Sequence, residues 1–153
     1  MLLILDTLQD PGNLGTLLRA GEGANITGVI MSKSTVDIYN PKVIRSTMGS
    51  IFRVPFTYVE NLKETIQELK DRRINIYASS LESSTNYEEM DYNKDTAFII
   101  GNEAAGIQKE VLDLVEKRIK IPMYGSVESL NAAVAGSILM YEAARQRRVK
   151  TEI

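Results

Sequence analysis

The stretch Ile119-Lys-Ile-Pro-Met-Tyr-Gly-Ser-Val-Glu-Ser-Leu-Asn-Ala-Ala-Val-Ala-Gly-Ser-Ile-Leu-Met-Tyr-Glu142 decides the fold of this chain. A short strand is predicted over residues 118–121, and Pro122 stops it. A polar loop follows, and the small and apolar residues of 130–144 suffice for about four helical turns. Ser129 directly precedes this run, where a helix N-cap belongs. A strand, a glycine-bearing loop and a helix N-terminus in this order predict a pocket for a polar small molecule.

The predicted C-terminal helix has almost no side-chain bulk along its first turns, where a surface helix would carry charges. One interpretation is that another backbone, a partner helix or a flat ligand lies very close to it. The other is that the helix is simply buried against a sheet. Asn131 adds a polar requirement, because a buried amide needs hydrogen-bond partners. The small residues are Ala132, Ala133, Ala135, Gly136 and Ser137.

The composition, with 44% hydrophobic and 25% charged residues among 153, is that of a soluble globular protein, and no apolar run is long enough to span a bilayer. The chain has neither cysteine nor histidine, which excludes Ser-His and Cys-His catalysis, and we expect no metal. The net charge of −2 gives no global signature of nucleic-acid binding. A local basic face is still predicted for the N-terminal third, from Arg19, Lys42, Arg45 and Arg53.

Apolar runs and amphipathic segments alternate along the chain. This alternation predicts one α/β domain over residues 1–153, with an open, mostly parallel sheet covered by helices on both faces. Strands are predicted over 2–5, 28–31, 54–59, 74–79, 96–100 and 118–121, and helices over 14–22, 41–49, 62–71, 108–115 and 130–144.

Polar groups follow three of the predicted strands. The first is Asn13 with Arg19, six residues apart across a helix start; the second is Gly101-Asn-Glu-Ala-Ala-Gly106; the third is the helix start at Asn131. Open α/β sheets bind ligands at the carboxyl ends of their strands, so the coincidence is informative. Taken singly, a surface arginine and a tight turn would explain the first two. A turn does not require the carboxylate of Glu103, and the glycine spacing is not that of a dinucleotide fingerprint.

These three groups, in this order, resemble the motifs of the SpoU-TrmH family of RNA 2′-O-ribose methyltransferases. The resemblance runs from Leu5 to Glu142 and includes Ser46-Thr-Met-Gly-Ser50. It implies an α/β fold with a deep C-terminal trefoil knot and S-adenosyl-L-methionine as the methyl donor. It also implies a cytoplasmic homodimer that associates through its first and last helices.

The resemblance further implies a role for individual residues. The catalytic residues are Arg19, Asn13, Glu103, Ser129 and Asn131, with Arg19 at the ribose hydroxyl. The donor is expected to contact Gly101, Asn102, Gly106, Ile121, Met123, Leu130 and Ala132, and RNA is expected to contact Arg19, Lys42, Arg45 and Ser46.

Ribosomal RNA is the expected substrate rather than transfer RNA, because the Asp-Pro-Gly-Asn-Leu-Gly pattern at residues 10–15 is closer to that of the ribosomal-RNA members. The N-terminal RNA-binding extension of many relatives is expected to be absent from this chain. A non-catalytic RNA-binding or ribosome-assembly protein on the same scaffold is the alternative. A nucleotide-dependent oxidoreductase would need a glycine fingerprint and an acidic ribose ligand that the sequence lacks.

Overall fold

Six parallel strands form the centre of the computed structural model, which describes residues 1–151. They are β1 (Leu2–Leu5), β2 (Gly28–Ser32), β3 (Phe56–Val59), β4 (Asn75–Ser79), β5 (Thr96–Ile100) and β6 (Lys117–Ile119). Their order across the sheet is β3-β2-β1-β5-β4-β6, and every neighbouring pair runs parallel. The predicted parallel α/β sheet is therefore confirmed.

Within residues 1–151, five α-helices cover the two faces of this sheet. They are α1 (Pro11–Gly23), α2 (Pro41–Thr47), α3 (Leu62–Asp71), α4 (Lys109–Leu112) and α5 (Ala132–Thr151). The central strands β1 and β5 are buried on both sides, as their continuous apolar runs require. Successive side chains of β1 consequently enter two separate cores: Leu3 packs with α1 and α5, and Ile4 packs with α3 and α4.

The first helix begins earlier than predicted. The sequence predicts a turn at Asp10-Pro-Gly12 and a helix start near Leu14, but Asp10 is the N-cap and Pro11 the first helical residue. The Asp10 carboxylate accepts a hydrogen bond from the Asn13 backbone N–H at 2.9 Å. Proline suits this position because its missing N–H would be unpaired there in any case.

The last helix begins later than predicted, and Ser129 is not its cap. The Asn131 side-chain oxygen accepts hydrogen bonds from the N–H groups of Ala133, at 2.8 Å, and Val134, at 3.2 Å. An amide oxygen outside the helix thus satisfies two of its free N–H groups. The helix continues to Thr151, beyond the predicted end at residue 144, so the basic tail from Arg145 is helical.

The remaining differences lie at element ends. The α4 helix has four residues instead of the predicted 108–115, because i→i−3 turns at Leu114 and Val115 replace its last turn. Strand β6 ends at Ile119, after which Lys120 pairs with the segment around Asn86. The trefoil knot remains a prediction. No helix within residues 1–151 is long and apolar enough to cross a membrane.

Helices α1 and α2 pack at unusually short range through Gly15. A Cβ atom on Gly15 would lie 2.2 Å from the Ser46 Cβ and 2.8 Å from the Val43 carbonyl oxygen. Only glycine allows this contact, which fixes α2 against α1.

We expect Gly15→Ala to destabilise the fold by about 1–3 kcal/mol, since the added methyl group overpacks the α1–α2 contact. In an unobstructed helix the same change would stabilise by about 1 kcal/mol. Urea unfolding measures the difference, with exposed Thr16→Ala on the same helix as the control. A Gly15→Ala protein as stable as the wild type would contradict the packing.

Candidate active site

A cavity of about 320 Å³ opens at the carboxyl ends of β4, β5 and β6. Its walls are the segments that follow these strands, residues 79–81, 100–106 and 120–123, together with 128–135 at the start of α5. This is the edge at which open parallel sheets bind ligands, and the volume lies within the range of small-molecule sites.

The cavity brings together the residues that the sequence assigns to the donor. All seven line it, and so do Glu103 and Ser129 from the catalytic set. The assignments themselves remain predictions, but segments far apart in sequence meet here as the motif order implied. The seven are Gly101, Asn102, Gly106, Ile121, Met123, Leu130 and Ala132.

Gly101 closes the floor of the cavity by backbone contact. A Cβ atom at this position would lie 2.2 Å from the Gly106 carbonyl carbon and 2.3 Å from the Ile107 nitrogen. The loop therefore folds back onto Gly101, with Gly106 at a φ of 71° that favours glycine. Any side chain at residue 101 would displace the loop from the cavity wall.

Asn102 holds that loop in shape. Its side-chain oxygen accepts hydrogen bonds from the N–H groups of Ala104 and Ala105, both at 2.9 Å, and its side-chain nitrogen donates to the Thr7 carbonyl oxygen. Its backbone exchanges two hydrogen bonds with Gly106. These bonds already engage both polar ends of the Asn102 side chain, so we interpret it as shaping the cavity wall.

A chain of hydrogen bonds joins the three predicted motifs. The Glu103 carboxylate accepts from the Asn13 side-chain nitrogen at 3.2 Å, and the Asn13 oxygen accepts from the Asn131 side-chain nitrogen at 2.9 Å. Asn131 in turn caps α5. Asn13 is only 9% exposed, so the two polar ends of its amide need these partners.

Glu103 is held as a carboxylate at the rim of the cavity. Its oxygens also accept from the backbone N–H groups of Asp10, at 2.8 Å, and Gln9, at 3.1 Å. Partial burial acts most strongly and raises the pKa of Glu103, but these N–H groups and Asn13 together lower it below the ordinary 4.5. The site therefore carries a fixed negative charge at neutral pH.

Several cavity residues were missed by sequence reasoning. Ser79, Ser80 and Leu81 follow β4, and Lys120 and Glu128 complete the walls. The rule that placed the motifs at strand ends applies equally to Ser79, which ends a predicted strand. The residues after it lack periodicity, which by itself predicts a surface loop.

Asp6 was missed too, although it directly follows β1. It is fully buried, and its carboxylate accepts from the Gln108 backbone N–H at 2.8 Å and from the Gln108 side chain at 2.9 Å. These bonds fix the far end of the loop that begins at Gly101.

Arg19 does not line the cavity of its own chain. It lies on the exposed face of α1, one turn after Gly15. The other residues assigned to RNA, Lys42, Arg45 and Ser46, lie on the neighbouring α2. These residues thus lie on two neighbouring helices outside the cavity walls, and the basic face remains a prediction, with Arg53 paired to Glu22 on α1.

Comparison with known proteins agrees with this geometry. The sequence profile of the SpoU rRNA Methylase family matches residues 1–141. The chain belongs to this family. The match includes the Asn13, Glu103 and Asn131 network and about half of α5.

Similar proteins carry related names. The 23S rRNA (guanosine(2553)-2′-O)-methyltransferase RlmP of Bacillus subtilis is 38% identical over 139 residues, which are 91% of this chain and 56% of RlmP. The SpoU methyltransferase AviRb of Streptomyces viridochromogenes, solved in complex with the cofactor AdoMet, superposes with a TM-score of 0.91 at 32% identity, covering 97% of this chain and 61% of AviRb. The A. aeolicus TrmH/SpoU tRNA modifying enzyme superposes with a TM-score of 0.86 at 30% identity. The match covers 99% of this chain and 76% of that enzyme. The chain thus spans less than two thirds of the length of RlmP and AviRb.

We expect Asn131→Ala to destabilise the protein by about 1–3 kcal/mol, because it removes a helix cap and leaves the Asn13 oxygen without its donor. Urea unfolding tests this, with Ser129→Ala as the matched control. Since Ser129 does not cap the helix, its replacement should change stability by less than about 0.5 kcal/mol. The reverse order of the two effects would show that Ser129 is the cap.

The free energy of unfolding of Glu103→Gln should fall less between pH 7 and pH 3 than that of the wild type. The lowered pKa of Glu103 means that its carboxylate stabilises the wild type fully above the ordinary value of 4.5, and that this stabilisation is lost as pH falls through the folded-state pKa. Urea unfolding at pH 7 and pH 3 compares the two proteins. An equal loss of stability in both would contradict the role of the charge.

Proposed function

We propose that this protein transfers a methyl group from S-adenosyl-L-methionine to a ribose 2′-hydroxyl of RNA. The observation that carries the proposal is the convergence of Glu103, Asn13 and Asn131 into one hydrogen-bonded chain beside the cavity. Family membership and the similarity to AviRb, which was solved with AdoMet, support the choice of donor.

The cavity fits this donor in size and chemistry. Apolar side chains from Ile100, Ile121 and Leu130 offer contact for a flat ring, and the glycine-rich floor offers backbone close to the ligand. The carboxylates of Glu103 and Glu128 lie in the walls, which suits a positively charged group. When bound, the donor supplies a methyl carbon that is activated by its sulfonium charge.

The protein's own residues orient the reaction. Glu103 accepts hydrogen bonds from Gln9, Asp10 and Asn13, so it presents its charge without reorganising. Arg19 is not suited to be a base, because a guanidinium hardly deprotonates in proteins. In our proposal Arg19 stabilises the negative charge that develops on the ribose 2′-oxygen and the charge of a neighbouring phosphate, and the hydroxyl proton passes to solvent water.

Arg19 requires a second copy of the chain in this scheme. Its exposed position on α1 places it outside its own cavity. The α5 helix packs on α1 and exposes Val134 and Tyr141. We propose a homodimer through α1 and α5 that brings Arg19 of each copy to the cavity of the other.

Ribosomal RNA is the proposed substrate, in the cytoplasm. The name of RlmP, a 23S rRNA methyltransferase, supports it. The A. aeolicus structure is named a tRNA modifying enzyme, so transfer RNA is the comparison that any assay must include.

Isothermal titration calorimetry with S-adenosyl-L-methionine and transfer of a labelled methyl group to ribosomal and transfer RNA test the proposal together. We expect the donor to bind and 2′-O-methyl label to appear in ribosomal RNA. Failure to bind at millimolar donor would reject the enzyme and favour the non-catalytic RNA-binding protein.

Arg19→Ala should abolish methyl transfer and leave the affinity for the donor nearly unchanged, because in our proposal Arg19 contacts the ribose oxygen and a phosphate of the RNA and not the donor. The control is Arg72→Ala, an exposed arginine at the end of α3. Rate and calorimetry are measured on the same preparations. Equal loss of transfer and donor affinity would contradict the division of labour.

A further inference from the structure

An exposed aromatic ring stands at the end of α2. Phe52, in the 3₁₀ turn Ser50–Phe52, is 86% exposed, and Met48 is 68% exposed. Neighbouring residues of the same turn are buried, including Ser50 and Ile51. The chain therefore presents these two apolar side chains outward while it buries Ser50 and Ile51 between them.

The turn that carries Phe52 is held firmly. The Ser50 hydroxyl donates to the Glu22 carboxylate, and Arg53 forms an ion pair with the same group on α1. Hydrogen bonds from Arg53 and then Ser50 lower the pKa of Glu22 to about 2, so this carboxylate is charged at neutral pH. The backbone that carries Phe52 is consequently fixed, with little entropy to lose on contact.

The backbone before the turn is strained. Met48 has a φ of 50° and Gly49 a φ of 88°, so two consecutive residues lie in the left-handed region. For a methionine this conformation costs on the order of 1 kcal/mol. A strained backbone conformation persists only where the surrounding structure imposes it. Such conformations are often found at functional sites.

The segment around Phe52 carries basic side chains, of which Arg53 is already paired with Glu22. Residues 39–53 contain Lys42, Arg45 and Arg53 and neither Asp nor Glu. Lys42 extends along α1 to within 4.0 Å of the position that a Gly12 Cβ would take, close to the Asn13 network. Lys42 and Arg45 on α2 thus lie along the chain between the Asn13 network and the aromatic ring.

Single-stranded nucleic acid is typically bound by aromatic rings next to basic side chains. The bases stack on the rings, and the basic side chains pair with the negatively charged phosphates. We propose that Phe52 stacks on an unpaired RNA base near the methylated nucleotide, with Lys42 and Arg45 at the adjoining phosphates. This inference rests on the proposed function and deepens it: the substrate is single-stranded at this point. A second copy of the chain is the competing occupant.

Tryptophan fluorescence gives a direct test, because the sequence contains no tryptophan. In Phe52→Trp the new ring is the sole reporter. A ten-nucleotide single-stranded RNA should quench its emission, whereas S-adenosyl-L-methionine alone and a blunt duplex RNA should not. Equal quenching by duplex and single strand would overturn the proposal.

Affinity measurements by fluorescence anisotropy of the labelled RNA separate stacking from plain apolar contact. Phe52→Ala and Phe52→Leu should both weaken binding about tenfold, and Phe52→Tyr should bind as the wild type does. Wild-type affinity in the leucine variant would overturn stacking, and so would a wild-type protein that binds no single-stranded RNA.

Sedimentation velocity of the same variants excludes the competing occupant. We expect Phe52→Ala to keep the oligomeric state of the wild type, and loss of that state would overturn the proposal in favour of a subunit contact. Calorimetry with S-adenosyl-L-methionine distinguishes failure of the stacking proposal from failure of the proposed function. If the donor binds and transfer occurs while Phe52→Leu binds RNA normally, the stacking fails and the proposed function stands.

Discussion

The hydrogen-bond chain from Glu103 through Asn13 to Asn131 is the constraint on which the site depends. Each amide serves at least two partners, so the loop after β5, the start of α1 and the start of α5 are fixed relative to one another. The N-cap of α5 is also the last member of this chain. Helix formation and assembly of the site are therefore coupled, because the same side chain satisfies the free N–H groups of the helix and orients Asn13.

Close backbone packing supplies the second constraint. Gly101 lies against Gly106 and Ile107, and Gly15 lies against α2, at distances that exclude any side chain. The first contact shapes the cavity floor and the second fixes the basic surface of α2 beside α1. The hydrogen-bond network beside the cavity and the proposed RNA surface thus both include α1, which contributes Asn13 to the network and Arg19 to the surface.

Much of the architecture could be predicted from residue patterns. The unbroken apolar run Thr96–Ile100 identifies a buried strand, and the capping asparagine and proline at residues 40–41 mark the start of α2. Helix starts are less predictable. Ser129 has the right chemistry for a cap, but a cap is defined by which N–H groups its oxygen reaches, and Asn131 reaches them. Likewise Asp10-Pro-Gly12 is compatible with a turn or a helix start, and the hydrogen bond from the Asn13 N–H to the Asp10 carboxylate identifies the helix start.

By itself the sequence determined the parallel α/β class, the absence of histidine and cysteine chemistry, and the identity of the polar groups at the strand ends, because these follow from composition and periodicity. Tertiary structure alone decided that Asn102 is bound within its loop, that Asp6 fixes the far end of that loop, and that Arg19 lies outside its own cavity. The physical reason is that hydrogen-bond partners and exposure depend on segments distant in the chain, such as Thr7 with Asn102 and Asp6 with Gln108. No local pattern encodes those pairings.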